Sequence, residues 1–415
     1  MSEGSAEPPY LPLAGVRIID LTTNMSGPLA TMVLAEQGAD VVKVEPIAGD
    51  LIRSIGTGRG GMSAYFANLN RGKRSIGVDL ATAAGRDLVL RLCDDADVFV
   101  QNFRPGVVER LGVGPDDVMA RNDRLIYASI SGFGTEGPLA TAPAYDHVVQ
   151  ALAGFCALQG DDQAASMVKQ GVIDKATSYT LAQAITAALL ERTRSGAGRR
   201  VDVSMLDVAL AYLWPDGMMN NTVIDPEKVL PPVARSFRVT PTLDGFVALV
   251  TLTSSQWGAL VEALADPPDT AADTATDTGD GITDGADRPD FTDTATRMAS
   301  GAAIMREVRQ KVATMATAEV VERLGRANVP CAPVLGLDEL HLDPQIVASG
   351  SLVEIDHPTM GAIRQPFPAA RFDQAVTPLG TPAPSAGAHT REILLAAGLD
   401  DGAIDDLAAA GVILV

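Results

Sequence analysis

The sequence predicts an α/β protein: a large domain built on a parallel sheet and a second, smaller α+β domain. Two observations carry this. Over the first 205 residues, short β-rich runs alternate with stretches of helical spacing. Repeating βα units of that length give a parallel sheet with helices on both faces. Further on, FRVTPTLDGFVALVT at 237–251 reads as a hairpin closing on an Asp-Gly turn, and helical patterns follow it.

VRIIDL at 16–21, polar only at Arg17 and Asp20, reads as a buried strand, and 28–37 as a helix with small and apolar residues facing inward. Strands follow at 40–45 (DVVKVE) and 74–80 (RSIGVDL), then a helix at 83–93, then strands at 97–103 and 125–131. Helical spacing returns at 144–159 and 175–194, the second ending on Ser195-Gly196, and 201–205 is a short strand. The smaller domain adds a helix at 255–265 and helices through 298–326. The expected boundaries are 1–225 for the first part of the large domain, 226–329 for the small domain, and 330–415 for a segment returning to the large one. A doubly wound sheet binds ligands beyond its strand C-termini, so the loops after Leu21, Glu45, Phe103 and Ser131 are the ones to examine.

With 47% hydrophobic and 20% charged residues, the chain has the profile of a folded globular protein. Three scattered cysteines (Cys93, Cys156, Cys331) offer no disulfide framework and no CxxC pair, and four separated histidines form no zinc motif, so no metal is expected. There is no apolar run of about 18 residues to span a bilayer, and MSEGSAEPPYLPLAG lacks the basic and apolar regions of a signal peptide. A cytoplasmic protein is expected. A net charge of −20 disfavours nucleic acid and anionic membranes as partners. Nine aspartates against one arginine (Arg288) fall within 266–293, a stretch with almost no large apolar residues. It reads as a flexible, solvated insertion.

Motif searches are informative mainly by failing. TTNMSGP follows the first strand in place of GxGxxG, and GxxxxGK[ST] and GxSxG are missing, so nicotinamide, P-loop and serine-esterase chemistry lack their signatures. Basic residues gather near strand ends instead: Arg53, then Arg71, Lys73 and Arg74, then Arg104 and Arg110. Such groups hold phosphates; the plainer reading is ordinary surface charge. Asp174, in GVIDKATSY, sits directly before the long helix, where an anion is favoured, and it reads equally as an N-cap. Tyr145-Asp146-His147 opens the preceding helix, and Asp146 is again a candidate cap.

The runs LPLAGVRIIDLTTNMSGPLATMVLAEQGADVVKVEP, NRGKRSIGVDL, QNFRPGVVERLG, YASISGFGTEGP and SGAGRRVDVSMLD resemble the class III CoA-transferases, a family that also holds α-methylacyl-CoA racemases. The likeness spans the chain apart from the acidic insertion. It implies a Rossmann-like large domain, a small domain between its two halves, and an interlocked homodimer with active sites shared between subunits. By position, Asp174 matches the transferases' nucleophile, with Tyr145 and Asp146 beside it. The resemblance likewise puts Thr23, Asn24, Met25, Lys43, Lys73, Arg74, Asn102, Phe103, Arg104 and Arg110 in segments that contact CoA, while Pro46 stands where some members carry an adenine-side arginine.

The activity implied is transfer of coenzyme A from an acyl-CoA to a free carboxylic acid through aspartyl anhydride and aspartyl-CoA intermediates, with CoA as substrate and no permanently bound cofactor. The alternatives are a 2-methylacyl-CoA racemase and a catalytically silent CoA-ester-binding protein. A racemase needs a second acid/base group, and Tyr145, with an unperturbed pKa near ~10, replaces the racemases' histidine. His147 lies two residues on, about 200° around a helix from the required face.

Overall fold

Strands that are apolar on both faces must be covered on both faces, and the central sheet satisfies this residue by residue. Ile18, Val41, Val98, Ile126 and Ala128 point to one side, where the helices Ser26–Glu36, Val172–Ser195 and Met205–Gly217 pack. Their neighbours Ile19, Val42, Phe99 and Tyr127 point to the other, against Ala83–Cys93, Thr390–Ala396 and Asp401–Ala409. The computed structural model describes residues 11–160, 164–229, 233–265, 294–372 and 379–415. The acidic stretch 266–293 lies outside the described residues.

The sheet has seven strands in the order Ile413–Leu414, Lys73–Val78, Asp40–Glu45, Arg17–Asp20, Val98–Gln101, Ile126–Ser131 and Arg200–Ser204. All neighbours run parallel except the first pair. Strand order reverses between Arg17–Asp20 and Val98–Gln101, so a crevice opens beyond the carboxyl ends of these two strands. The expected α/β class with a parallel-sheet large domain is what the structure has.

Three local differences from the sequence reading have physical reasons. The single helix expected at 144–159 is two, Asp146–Leu152 and Phe155–Gln159, because Gly154 adopts φ 90° and interrupts the helical path. The long helix starts at Val172, so Asp174 lies in its first turn and does not cap it from outside. The return to the large unit comes after Ile346 rather than at 330, because Cys331–Pro333 pairs with Phe246–Leu249 in the small unit's antiparallel sheet.

The two compact units are therefore Pro231–Ile346 and the remainder of the chain. In the small unit the hairpin strands Val239–Pro241 and Phe246–Leu249 support a core of Val247, Leu260, Leu264, Val308, Val320 and Leu324. The amphipathic helices Ser254–Leu264 and Thr317–Arg326 supply Leu260, Leu264, Val320 and Leu324 at helical spacing.

Candidate active site

Asp174 owes its position to packing that the sequence dictates. Helix Val172–Ser195 buries Ile173, Thr177, Leu181, Ile185, Ala188 and Leu189 along one stripe, which fixes its rotation against the sheet. It packs on helix Ser26–Glu36, where Ser178 Oγ donates to the carbonyl of Ser26 at 2.7 Å. Gly171 permits the approach: a Cβ there would lie 2.8 Å from Met25 Sδ and 3.6 Å from Asp174 Cβ.

The end of the crevice is pinned by Asn102. Its Oδ1 accepts the Thr23 N–H at 2.9 Å and its Nδ2 donates to the Thr23 carbonyl at 2.8 Å. This pair of bonds holds the next residue, Asn24, at φ 65°, a left-handed conformation that Asn tolerates better than most residues. A cavity of about 210 Å³ results, lined by Asn24, Ser26, Asn102, Phe103, Arg104, Tyr145 and Asp174 together with Ser131, Gly132 and Met205.

Burial, and then the nearby Asp146 carboxylate, push the Asp174 carboxyl up from 3.8 to about 6; a hydrogen bond from Ser26 and the charge of His147 oppose the shift. Among the described residues no lysine or arginine forms an ion pair with it. Lys175, its neighbour in sequence, donates to Gln170 Oε1 at 3.0 Å.

Asp146 stands in a different position. It is 3% exposed, and its Oδ2 accepts the main-chain N–H groups of Ile173 at 2.7 Å and Asp174 at 3.0 Å. Its other oxygen accepts from Gln150. The side chain thus caps the helix that carries Asp174, from a neighbouring element, and occupies two amides that would otherwise be open to a reacting oxyanion. Tyr145 is 60% exposed and lines the cavity directly.

The basic residues divide sharply. Lys43 is fully buried, donating to Asp50 at 3.1 Å and to the Thr22 carbonyl at 2.8 Å. Lys73 is 1% exposed and donates to Asp20 at 2.9 Å, the Pro28 carbonyl at 2.8 Å and Asn70 at 2.9 Å; burial lowers its pKa to about 8 against the pull of Asp20. Arg74 is bonded to Asp40 and Glu392, Arg53 to Glu45, and Arg71 to Glu36. Lys43 and Lys73 thus serve an ion network inside the sheet, and Arg74 is held by two carboxylates at its edge, so none of the three offers a free cation to the cavity beside Asp174. Arg104 and Arg110 are exposed and form no ion pair among the described residues.

Sequence reasoning missed Ser26, Ser131, Gly132 and Met205. Ser26 and Met205 lie inside runs that carry the family resemblance, and Ser131 ends a strand whose following loop was marked for ligands, which was the available signal. Tyr65 was missed as well; burial and the charges of Asp174, Asp146 and Asp50 raise its pKa.

With this geometry in view, the comparisons are consistent. Residues 13–390 match the model of "CoA-transferase family III". The chain is 33% identical over 406 residues to "Probable fatty acyl-CoA transferase Rv3272" of Mycobacterium tuberculosis, covering 93% of this chain and 98% of the relative. It is 32% identical over 403 residues to "Succinate--glutarate CoA-transferase" of Agrobacterium fabrum, covering 92% and 95%. Among solved structures, a "CAIB/BAIF family protein from Brucella suis" superposes with a TM-score of 0.78 at 28% identity, covering 94% and 100%. The chain belongs to CoA-transferase family III.

Proposed function

We propose that the protein moves coenzyme A from an acyl-CoA thioester to a free carboxylic acid, with Asp174 as the covalent relay. The observation that carries this reading is one carboxylate, half-buried and without an ion-pair partner among the described residues, facing a cavity at the strand-order reversal. A pKa of about 6 leaves Asp174 mostly ionised at neutral pH yet more basic, and so more nucleophilic, than an ordinary aspartate.

Asp174 Oδ attacks the thioester carbonyl, the C–S bond breaks, and CoA thiolate leaves an aspartyl–acyl anhydride. The thiolate then attacks the aspartyl carbonyl, expelling the donor acid as its carboxylate and leaving an aspartyl-CoA thioester. The acceptor carboxylate attacks that thioester, releasing thiolate and forming a second anhydride. Thiolate attack on the acceptor's carbonyl frees the new acyl-CoA and restores Asp174. No net proton or electron is needed, because each step exchanges one anionic nucleophile for one anionic leaving group.

Arg104 and Arg110 are the cations available for CoA phosphates, and Asn24, Phe103 and Tyr145 are the walls that orient the thioester. Asp146 acts as a positioning residue through the helix it caps. A homodimer belongs to the same reading: Tyr212 and Trp214, 59% and 44% exposed, are residues a second copy would cover. The test is Asp174→Ala, assayed with succinyl-CoA or acetyl-CoA and a panel of free acids: transfer is lost while CoA still binds. Retained turnover would refute the assignment.

A further inference from the structure

We infer that the acid joined to CoA here is a monocarboxylic acid with an apolar body, seated in a groove that lies beside Asp174 along helix Ser26–Glu36. This deepens the transferase reading and rests on it. The groove has a volume of about 670 Å³, against about 210 Å³ for the cavity that Asp174 lines. That size falls within the range of roughly 300–1,000 Å³ common to small-molecule sites. Its walls are Met25, Leu29, Val33, Leu69, Phe367 and Phe372, which would cover a hydrocarbon or aromatic ring.

Three neighbours place the groove close to the reacting carboxylate. Met25 forms its near wall, and the point 2.8 Å from Met25 Sδ where a Gly171 Cβ would stand is 3.6 Å from Asp174 Cβ. Lys175, the next residue after Asp174, also lines it. Tyr65 lies in the same wall and feels the Asp174 charge.

Charge selects against a second carboxylate. The groove's cations are Arg71 and Lys175. Arg71 Nε donates to Glu36 at 2.8 Å, and Glu36 lines the groove too, so that end is neutralised. Lys175 Nζ is held at Gln170 Oε1, beside the reacting end. Beyond Lys175, whose partner Gln170 is neutral, the distal carboxylate of a dicarboxylic acid would lie against apolar walls, whereas an alkyl or aryl group gains from burial.

The experiment uses the full-length protein with acetyl-CoA as donor and measures kcat/KM for octanoate, phenylacetate, propionate, succinate and glutarate. Octanoate is expected to exceed glutarate by about tenfold or more. Val33→Trp narrows the groove midway and lowers the octanoate-to-propionate ratio by about tenfold. Val33→Ala, which cannot overfill the packing, moves preference toward bulkier branched acids. Preference for succinate or glutarate, or Val33 variants with an unchanged ratio, overturns the inference while leaving the transferase reading intact. An unchanged ratio with a changed sedimentation mass means that a second copy fills the groove, and it likewise overturns the inference. Absence of transfer to every acid defeats the transferase reading itself, and the inference with it.

Discussion

The carboxylate of Asp146 accepts the main-chain N–H of Asp174 at 3.0 Å, so one aspartate holds the backbone of another while its charge raises that neighbour's pKa. Two acidic residues 28 positions apart in sequence thereby have different occupations. Asp146 is hydrogen-bonded on both oxygens to the protein, and Asp174 is left facing a cavity.

Replacing Asp146 with Asn should separate the two effects. Loss of its charge lowers the Asp174 pKa below about 6, so the acid limb of the kcat/KM profile moves to lower pH. The weakened cap destabilises the fold by about 1 kcal/mol. A pH–rate profile and urea melts of the same variant test both halves.

Asp174→Asn should inactivate and yet stabilise. The folded pKa is raised from 3.8 to about 6, so folding binds protons more tightly than the unfolded chain does. Stability from this group is fully present below pH 3.8, is lost as pH rises through about 6, and stays lost above it. At pH 7 the neutral variant escapes that penalty and gains on the order of 3 kcal/mol. The gain vanishes in urea melts below the unfolded pKa.

The lysines and arginines of the sheet edge should part company. Lys73→Met leaves Asp20 buried without its cation and destabilises by about 3–5 kcal/mol. Arg104→Ala or Arg110→Ala changes stability by about 0.5 kcal/mol or less and raises the KM for acyl-CoA by roughly tenfold, the worth of one lost charge-assisted bond. Thermal melts and initial rates on the four proteins check this division.

Asn102→Ala removes both bonds to Thr23 and frees the loop that carries Asn24. A stability loss of about 1–3 kcal/mol is expected. Because a loosened wall misplaces the thioester without removing Asp174, kcat should fall while the hydroxamate described below still forms slowly.

The parallel sheet was legible because strands such as Val98–Gln101 are buried on both faces and read as continuous apolar runs between helices. The loops around Asn24 and Asn102 were legible as strand C-termini of a βα alternation, and Asp174 by its place at the start of the long helix and by the family resemblance. The sequence did not separate Asp146 from Asp174, because a cap acting across elements depends on where two helices meet in space. Lys43 and Lys73 were read as ligand contacts although each lies on a buried strand of the central sheet. Register supplies the missing term: Asp20 stands beside Lys43 across adjacent strands, and a charge inside a buried strand beside an opposite charge is an internal ion network. The helix break at Gly154 depended on one φ angle that spacing alone does not reveal.

The central claim is that Asp174 captures the acyl carbonyl. Incubating the protein with acyl-CoA and hydroxylamine, followed by peptide mass spectrometry, tests it most directly. The account predicts a hydroxamate on Asp174 that forms only when acyl-CoA is present and disappears in Asp174→Asn. An unmodified Asp174 in a preparation that still transfers CoA would contradict it.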